Sequence, residues 1–244
     1  MNLDTIPKFV INLERRPDRL QKIKKELSYI GWDYEIFKAI DKNDHRGCSL
    51  SHADIIKKAK ENNWDEVLVI EDDCTFMPYS KSLIEQINNQ CSDLEYYIFN
   101  LSPTLDRPVR ISEKYNLLLD LTNLPEKNEY QRGIFATNMI LYHKNSYDIV
   151  LEIERPENIG YYAIDDYIYR NVFLKHQSYT PILPIGPQTK DWSDVSQGDY
   201  SNFYTQTYNW NNYSPYKIPH EFLSYENNQK IKEEGIHKEF KYVS

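Results

Sequence analysis

Glu66-Val67-Leu68-Val69-Ile70, running straight into Glu71-Asp72-Asp73, is the stretch from which the rest of the chain is read. The apolar run is short and β-branched, which suits a central parallel strand covered on both faces. It ends abruptly in adjacent carboxylates. In an open α/β sheet, ligands bind beyond the carboxyl ends of the strands, and the triplet falls there. A second like charge about 4 Å away costs on the order of 4 kcal/mol at a surface-like dielectric. A divalent cation removes that cost, and hard oxygen ligands point to Mn²⁺ or Mg²⁺. Such a cation would also bridge a substrate diphosphate and stabilise it as a leaving group. The competing reading is a solvated acidic turn.

Outward from this strand the chain alternates. Lys8 to Leu13 reads as a buried strand, and a helix follows from Pro17, since proline suits a first helical turn. Leu20, Ile23, Leu27 and Ile30 form its buried stripe, with Lys22, Lys24, Lys25 and Glu26 on the outer face. Tyr34 to Ala39 is a second strand. Ser51, with Asp54 three residues on, resembles a capping box opening a helix from His52 to about Asn62. A helix at Ser82 to Asn89 and a strand at Tyr96 to Asn100 continue the order, which argues for an α/β layered fold. Residues 102–132 read mostly as loops around a short apolar piece, Leu117 to Leu121. Gly133 to Tyr142 is expected as a strand, Ser146 to Glu154 and Ile164 to Val172 as helices, and Tyr179 to Ile185 as a final strand. From Tyr200 the chain is rich in Tyr and Asn with little periodicity. The expected organisation is one domain over residues 1–199 and a C-terminal extension over 200–244 that packs on or trails from the same domain. The extension is read as a hydrophilic surface loop or tail in preference to a segment that stacks on sugar rings.

Composition narrows the function. The 244 residues are 40% apolar, enough for an ordinary core. A net charge of −8 without a basic block argues against nucleic acid as a partner. Three cysteines without a C-x-x-C pair give neither a disulfide framework nor a structural zinc site. Met1 to Thr5 lacks a charged start and an apolar stretch, so no signal peptide is expected and a cytoplasmic location is the default. No run approaches the length of a membrane span. Only seven glycines are present, without G-x-G-x-x-G or Walker A patterns, which disfavours dinucleotide and P-loop sites.

Further candidates lie at segment ends. Asn12 to Arg19 leads from strand to helix, where backbone N–H groups attract phosphate, and Arg15, Arg16 and Arg19 add charged donors. His52 follows Gly47-Cys48-Ser49-Leu50-Ser51. Asp165-Asp166 form a second acidic pair, and Gln188 with Ser193-Asp194 a late polar cluster.

Taken together, Val10-Ile11-Asn12-Leu13 with Arg15 and Arg19, Gly47 to His52, and Val69 to Asp73 resemble glycosyltransferase family 25. That group includes lipooligosaccharide and procollagen hydroxylysine glycosyltransferases. The likeness continues more loosely at Gly133 to Tyr142, Ile164 to Tyr167, Gln188 and Ser193-Asp194, covering roughly residues 7–198. It implies a GT-A-like nucleotide-sugar-binding fold, α/β, with a central mostly parallel sheet flanked by helices. It further implies a UDP-sugar donor and inversion at the anomeric carbon. Glu71 and Asp73 fill the outer positions of the family's metal motif, for Mn²⁺ (or Mg²⁺), with Glu in place of the first Asp. Donor binding is expected at Asn12, Arg15, Arg19, His52, Glu71, Asp72, Gln188 and Asp194. Inversion requires a base away from the metal, so Asp166 is expected to take the acceptor proton, with Asp165 orienting the donor sugar or capping its helix. The acceptor is a glycan or a hydroxylysine-containing peptide, and a homo-oligomer is compatible with the sequence. Two rivals are a non-catalytic sugar-binding module on the same scaffold and a haloacid-dehalogenase-type phosphatase. The phosphatase needs Asp where the chain has Glu71.

Overall fold

A computed structural model describes residues 1–42, 44–122, 124, 133–193 and 198–235. The first half is a strand–helix alternation: β1 (Lys8–Asn12), α1 (Pro17–Ile30), β2 (Glu35–Lys38), α2 (His45–Glu61), β3 (Glu66–Glu71), α3 (Ser80–Gln90) and β4 (Ile98–Asn100). Short strands follow, β5 (Thr104–Leu105), β6 (Arg110–Ile111), β7 (Leu118–Asp120) and β8 (Ile134–Phe135), then β9 (Met139–His143). Next come α4 (Lys144–Leu151), the single turn α5 (Pro156–Ile159), α6 (Ile164–Ile168) continued by a π-helical turn, and β10 (Ser178–Pro181). A hairpin, Lys190–Ser193 with Gly198–Ser201, leads to α7 (Asn202–Tyr213) and α8 (Tyr225–Glu233).

The eight-stranded sheet has the order β2-β1-β3-β9-β4-β10-β7-β6. From the pairings, β9 and β7 run against the other six strands, so the sheet is mostly parallel in direction. β1 is buried along its whole length and β3 along its middle, which explains why both read as unbroken apolar runs. Ile23 and Leu27 of α1, Ile55 and Ile56 of α2 and Leu83 and Ile87 of α3 join the strands in one buried cluster. Pro17 opens α1, and Gly31 closes it at φ 87° with its N–H on Leu27 O at 2.8 Å. No described helix is long and apolar enough to cross a membrane.

Several expectations need correction. Helix α2 begins at His45, capped by Asp44, seven residues ahead of the expected start at His52. Ser51 is interior to it; its hydroxyl donates to Gly47 O at 2.8 Å and accepts from Ile40 N at 2.9 Å. Gly47 permits the close approach, since a Cβ there would lie 2.4 Å from Ile40 O. Glu26, expected on the outer face of α1, is buried. The expected single strand Gly133–Tyr142 is broken at Ala136, which sits at φ 66°. Leu118–Asp120, within residues read as loop, is a strand of the main sheet. Tyr200 onward is not simply a surface loop: α7 buries Phe203 and Trp210, with Trp210 Nε1 donating to Ile182 O at 3.2 Å.

Candidate active site

β3 delivers the acidic triplet to the wall of a cavity of about 470 Å³, within the roughly 300–1,000 Å³ usual for small-molecule sites. Glu71, Asp72, Asp73 and Asp165 all line it. So do Arg15 and Lys42 from the segments after β1 and β2.

Each carboxylate of the triplet has its own support. Arg19 Nη1 reaches from α1 to Asp72 Oδ1 at 3.0 Å and Asp73 Oδ2 at 3.3 Å. Asn12 Nδ2 donates to Asp72 Oδ2 at 2.6 Å and to Arg16 O at 3.1 Å, tying the end of β1 to the start of α1. Burial pushes the Asp72 carboxyl up, opposed by Arg19 and Asn12. Thr137 Oγ1 donates to Glu71 Oε1 at 3.1 Å, and His52 Nε2 lies 3.6 Å from the same oxygen. Burial raises Glu71, but His52 and Thr137 outweigh it and hold the group below the usual range. Asp73 has less help. Burial first and the Glu71 charge second push it up to about 7, against Arg19. Asp73 Oδ1 is buried with no hydrogen-bond partner.

A second carboxylate arrives from the opposite part of the chain. Asp165, in the first turn of α6, accepts from Ala136 N at 3.3 Å and from Asp166 N at 2.8 Å. Burial raises its pKa, while these backbone donors favour the charged form. Ala136 lines the cavity in a left-handed conformation that costs a non-glycine residue about 1–3 kcal/mol. Its carbonyl accepts from Asn100 Nδ2 at 2.8 Å, so β4 and α6 together hold the kink. Asp166 points elsewhere: it pairs with Arg170 at 3.0 Å and is not among the lining residues. Of the acidic pair it is thus Asp165, the one not preferred from the sequence, that faces the cavity.

The expected donor-binding residues divide similarly. Arg15, Arg19, Glu71, Asp72 and Gln188 are on the wall. Asn12 and His52 stand behind it; His52 is fully buried, with Nδ1 2.9 Å from Tyr142 Oη. Their contacts are to Asp72 and Glu71, so they brace the triplet from behind. Arg19 is on the wall yet committed to the acidic pair, and Arg16 pairs with Asp18 at 2.9 Å and Asp191 at 3.5 Å. Arg15 pairs with Asp41. The Gln188 side chain faces Asp73 and favours its charged form, and the Gln188 N–H donates to Gln206 Oε1 of α7 at 2.7 Å. Asp194 lies outside the described residues.

Sequence reasoning missed Thr137, Ala136 and Gln206. It also missed a brace behind the loop after the triplet. Lys232 of α8 sits 2.7 Å from both Glu26 oxygens, Glu26 Oε2 accepts from Phe76 N at 2.8 Å, and Gln229 Nε2 reaches Thr75 Oγ1 at 2.9 Å.

The residues fit a hard divalent cation. Glu71 and Asp73 crowd their charges along the cavity, Arg19 hydrogen-bonds Asp72 and Asp73, and Asp73 Oδ1 is a buried acceptor with no hydrogen-bond partner among the described residues.

A family model described as glycosyltransferase family 25 (LPS biosynthesis protein) matches residues 5–47 and 43–146. A glycosyltransferase 25 family member from Aedes aegypti is 33% identical over 108 residues, covering 32% of this chain and 18% of the relative. Another from Drosophila melanogaster is 31% identical over 126 residues, 40% of this chain and 20% of the relative. The match thus spans about a fifth of the length of these relatives. Among solved structures, a glycosyltransferase involved in glycosylation of the major capsid of PBCV-1 aligns over 67% of this chain and 73% of its own. Its TM-score is 0.36 at 14% identity. A mannose-1-phosphate geranyltransferase from Thermus thermophilus aligns over 73% and 74%, with TM-score 0.43 and 11% identity.

Proposed function

The chain belongs to glycosyltransferase family 25, and from that premise we propose that it is a metal-dependent, inverting glycosyltransferase. It moves a hexose from a UDP-sugar donor to a hydroxyl acceptor. The acceptor class is a collagen-type hydroxylysine or its galactosyl derivative, or a lipooligosaccharide sugar. The observation that carries this reading is one cavity lined by both the acidic triplet and Asp165.

Glu71 and Asp73 would hold Mn²⁺ or Mg²⁺, which when bound supplies positive charge to the leaving diphosphate. Arg19 and Asn12 fix Asp72 and, through Arg19, Asp73. His52 and Thr137 fix Glu71. Arg15 and Lys42 place cationic groups on the wall for the nucleotide phosphates. Asp165, in the same cavity and held by the backbone of Ala136 and Asp166, accepts the acceptor hydroxyl proton. The hydroxyl oxygen then attacks the anomeric carbon opposite the departing diphosphate. Burial raises the Asp165 pKa and so strengthens it as a base, while its two N–H donors favour the charged form.

The test is donor hydrolysis across a panel of nucleotide sugars, with Mn²⁺ and with excess EDTA. Hydrolysis of a UDP-sugar should disappear in EDTA and in a folded Asp73→Asn variant. Full hydrolysis in excess EDTA overturns the reading.

A further inference from the structure

Beside the triplet lies a cluster that shares Glu71 with the proposed donor site and adds Cys48, which the transfer chemistry does not use. Cys48 and His52 are four residues apart on α2 and so share a helix face, and Glu71 closes β3 opposite them. Cys48 Sγ, an imidazole nitrogen of His52 and a carboxylate oxygen of Glu71 all lie within 4.8 Å of one another. We propose that these three side chains form a binding site for a soft divalent cation, Zn²⁺ in chemical class, which competes with the donor cation by sharing Glu71.

Two independent features point to a ligand here. His52 Nε2 is buried without a hydrogen-bond partner, facing Glu71 Oε1 at 3.6 Å. Its other nitrogen is held by Tyr142 Oη at 2.9 Å, the outer contact that orients a ligating imidazole. Cys48 and Glu71 line the cavity, which gives the ion an entry path and leaves a coordination position open toward solvent. Three protein ligands with one open position is a common zinc arrangement. One thiolate and one carboxylate neutralise a divalent charge, as a buried site requires. Thiolate selects Zn²⁺ over Mn²⁺ or Mg²⁺, so the site differs in kind from the oxygen set at Asp73. Cys74, by contrast, donates its thiol to Asn138 O at 2.8 Å. Binding releases the Cys48 thiol proton to solvent. The imidazole proton resides on Nδ1 in the bound form, where Tyr142 Oη accepts its hydrogen bond.

The competition rests on the transferase reading; the binding does not, and the experiment separates them. The metal-free full chain is titrated with Co²⁺ as a spectroscopic probe. One equivalent should produce the thiolate-to-cobalt charge-transfer absorption, abolished by Zn²⁺ and absent from Cys48→Ser, but retained in Asp73→Asn. No such absorption, or its persistence in Cys48→Ser, overturns the site whatever the enzyme does. Zn²⁺ should then inhibit Mn²⁺-supported donor hydrolysis. Loss of an outer partner alone weakens metal binding about 10–100-fold, so Cys48→Ser should need at least about tenfold more Zn²⁺ for half-inhibition. Equal inhibition of both proteins refutes the competition.

Discussion

Lys232→Met removes one half of an ion pair whose side chains are only 7% and 9% exposed. Glu26 then keeps its charge in a buried place, facing Phe76 N and Gln229 Nε2 but no other cation among the described residues. Breaking a buried pair from one side costs about 3–5 kcal/mol, because the surviving charge is left uncompensated. The two remaining donors to Glu26 place the expected loss at the lower end, about 3 kcal/mol. For a chain of this size that corresponds to a fall in Tm of about 6–12 °C. Burial already lowers the Lys232 pKa against the pull of Glu26, so the pair is weaker than its distances imply. Replacing both partners, Glu26→Gln with Lys232→Met, should therefore recover much of the loss, since the amide still accepts from Phe76 N. The assay is equilibrium denaturation of the wild type, the two single variants and the double variant. A loss below about 1 kcal/mol for Lys232→Met, as for an exposed pair, refutes the assignment of a buried brace.

Other expectations follow from single contacts. Asp165→Asn should lower transfer about 10²–10⁴-fold while donor affinity is kept, and Asp166→Asn should stay near wild type; the opposite ranking in steady-state kinetics returns the base to Asp166. Gly47→Ala should destabilise by about 1–3 kcal/mol, because its Cβ would meet Ile40 O at 2.4 Å; an unchanged Tm would show that α2 does not sit so close. Trp210→Ala should cost about 3–5 kcal/mol in denaturant unfolding. A change within about 0.5 kcal/mol, as at a surface position, would mean that α7 does not pack as described.

The sheet and the acidic triplet at its carboxyl edge were legible because their signals are local. Val67 to Ile70 is apolar on both faces, and the carboxylates follow it directly. What stayed hidden depends on distant partners. Glu26 reads as a surface residue until Lys232, 206 positions away, is placed beside it. Gly47, Ser49 and Ser51 have weak helix propensity, so the early start of α2 is set by packing against Ile40 and not by intrinsic preference. On α7 the buried face is Phe203, Gln206, Thr207 and Trp210, a helical spacing whose middle pair is polar. A count of apolar residues sees only its two ends. Gln206 is polar there because it serves Gln188 N, Ser102 O and Asn138 Oδ1. Asp165 and Asp166 are adjacent in sequence, and the contact with Ala136 N on one side and with Arg170 on the other distinguishes them.

The position of β9 between β3 and β4 carries a consequence for biosynthesis. A ribosome completes β4 at Asn100 but does not finish β9 until His143, 43 residues later. At about 5–20 residues per second this is roughly 2–9 s. Throughout it β3 has one unpaired edge and β4 has two, since β10 is made later still. Apolar strands with open edges are templates for pairing with other chains. The nascent protein is therefore most open to aggregation, and to any chaperone that shields strand edges, in that interval, and β9 ends it by filling the gap.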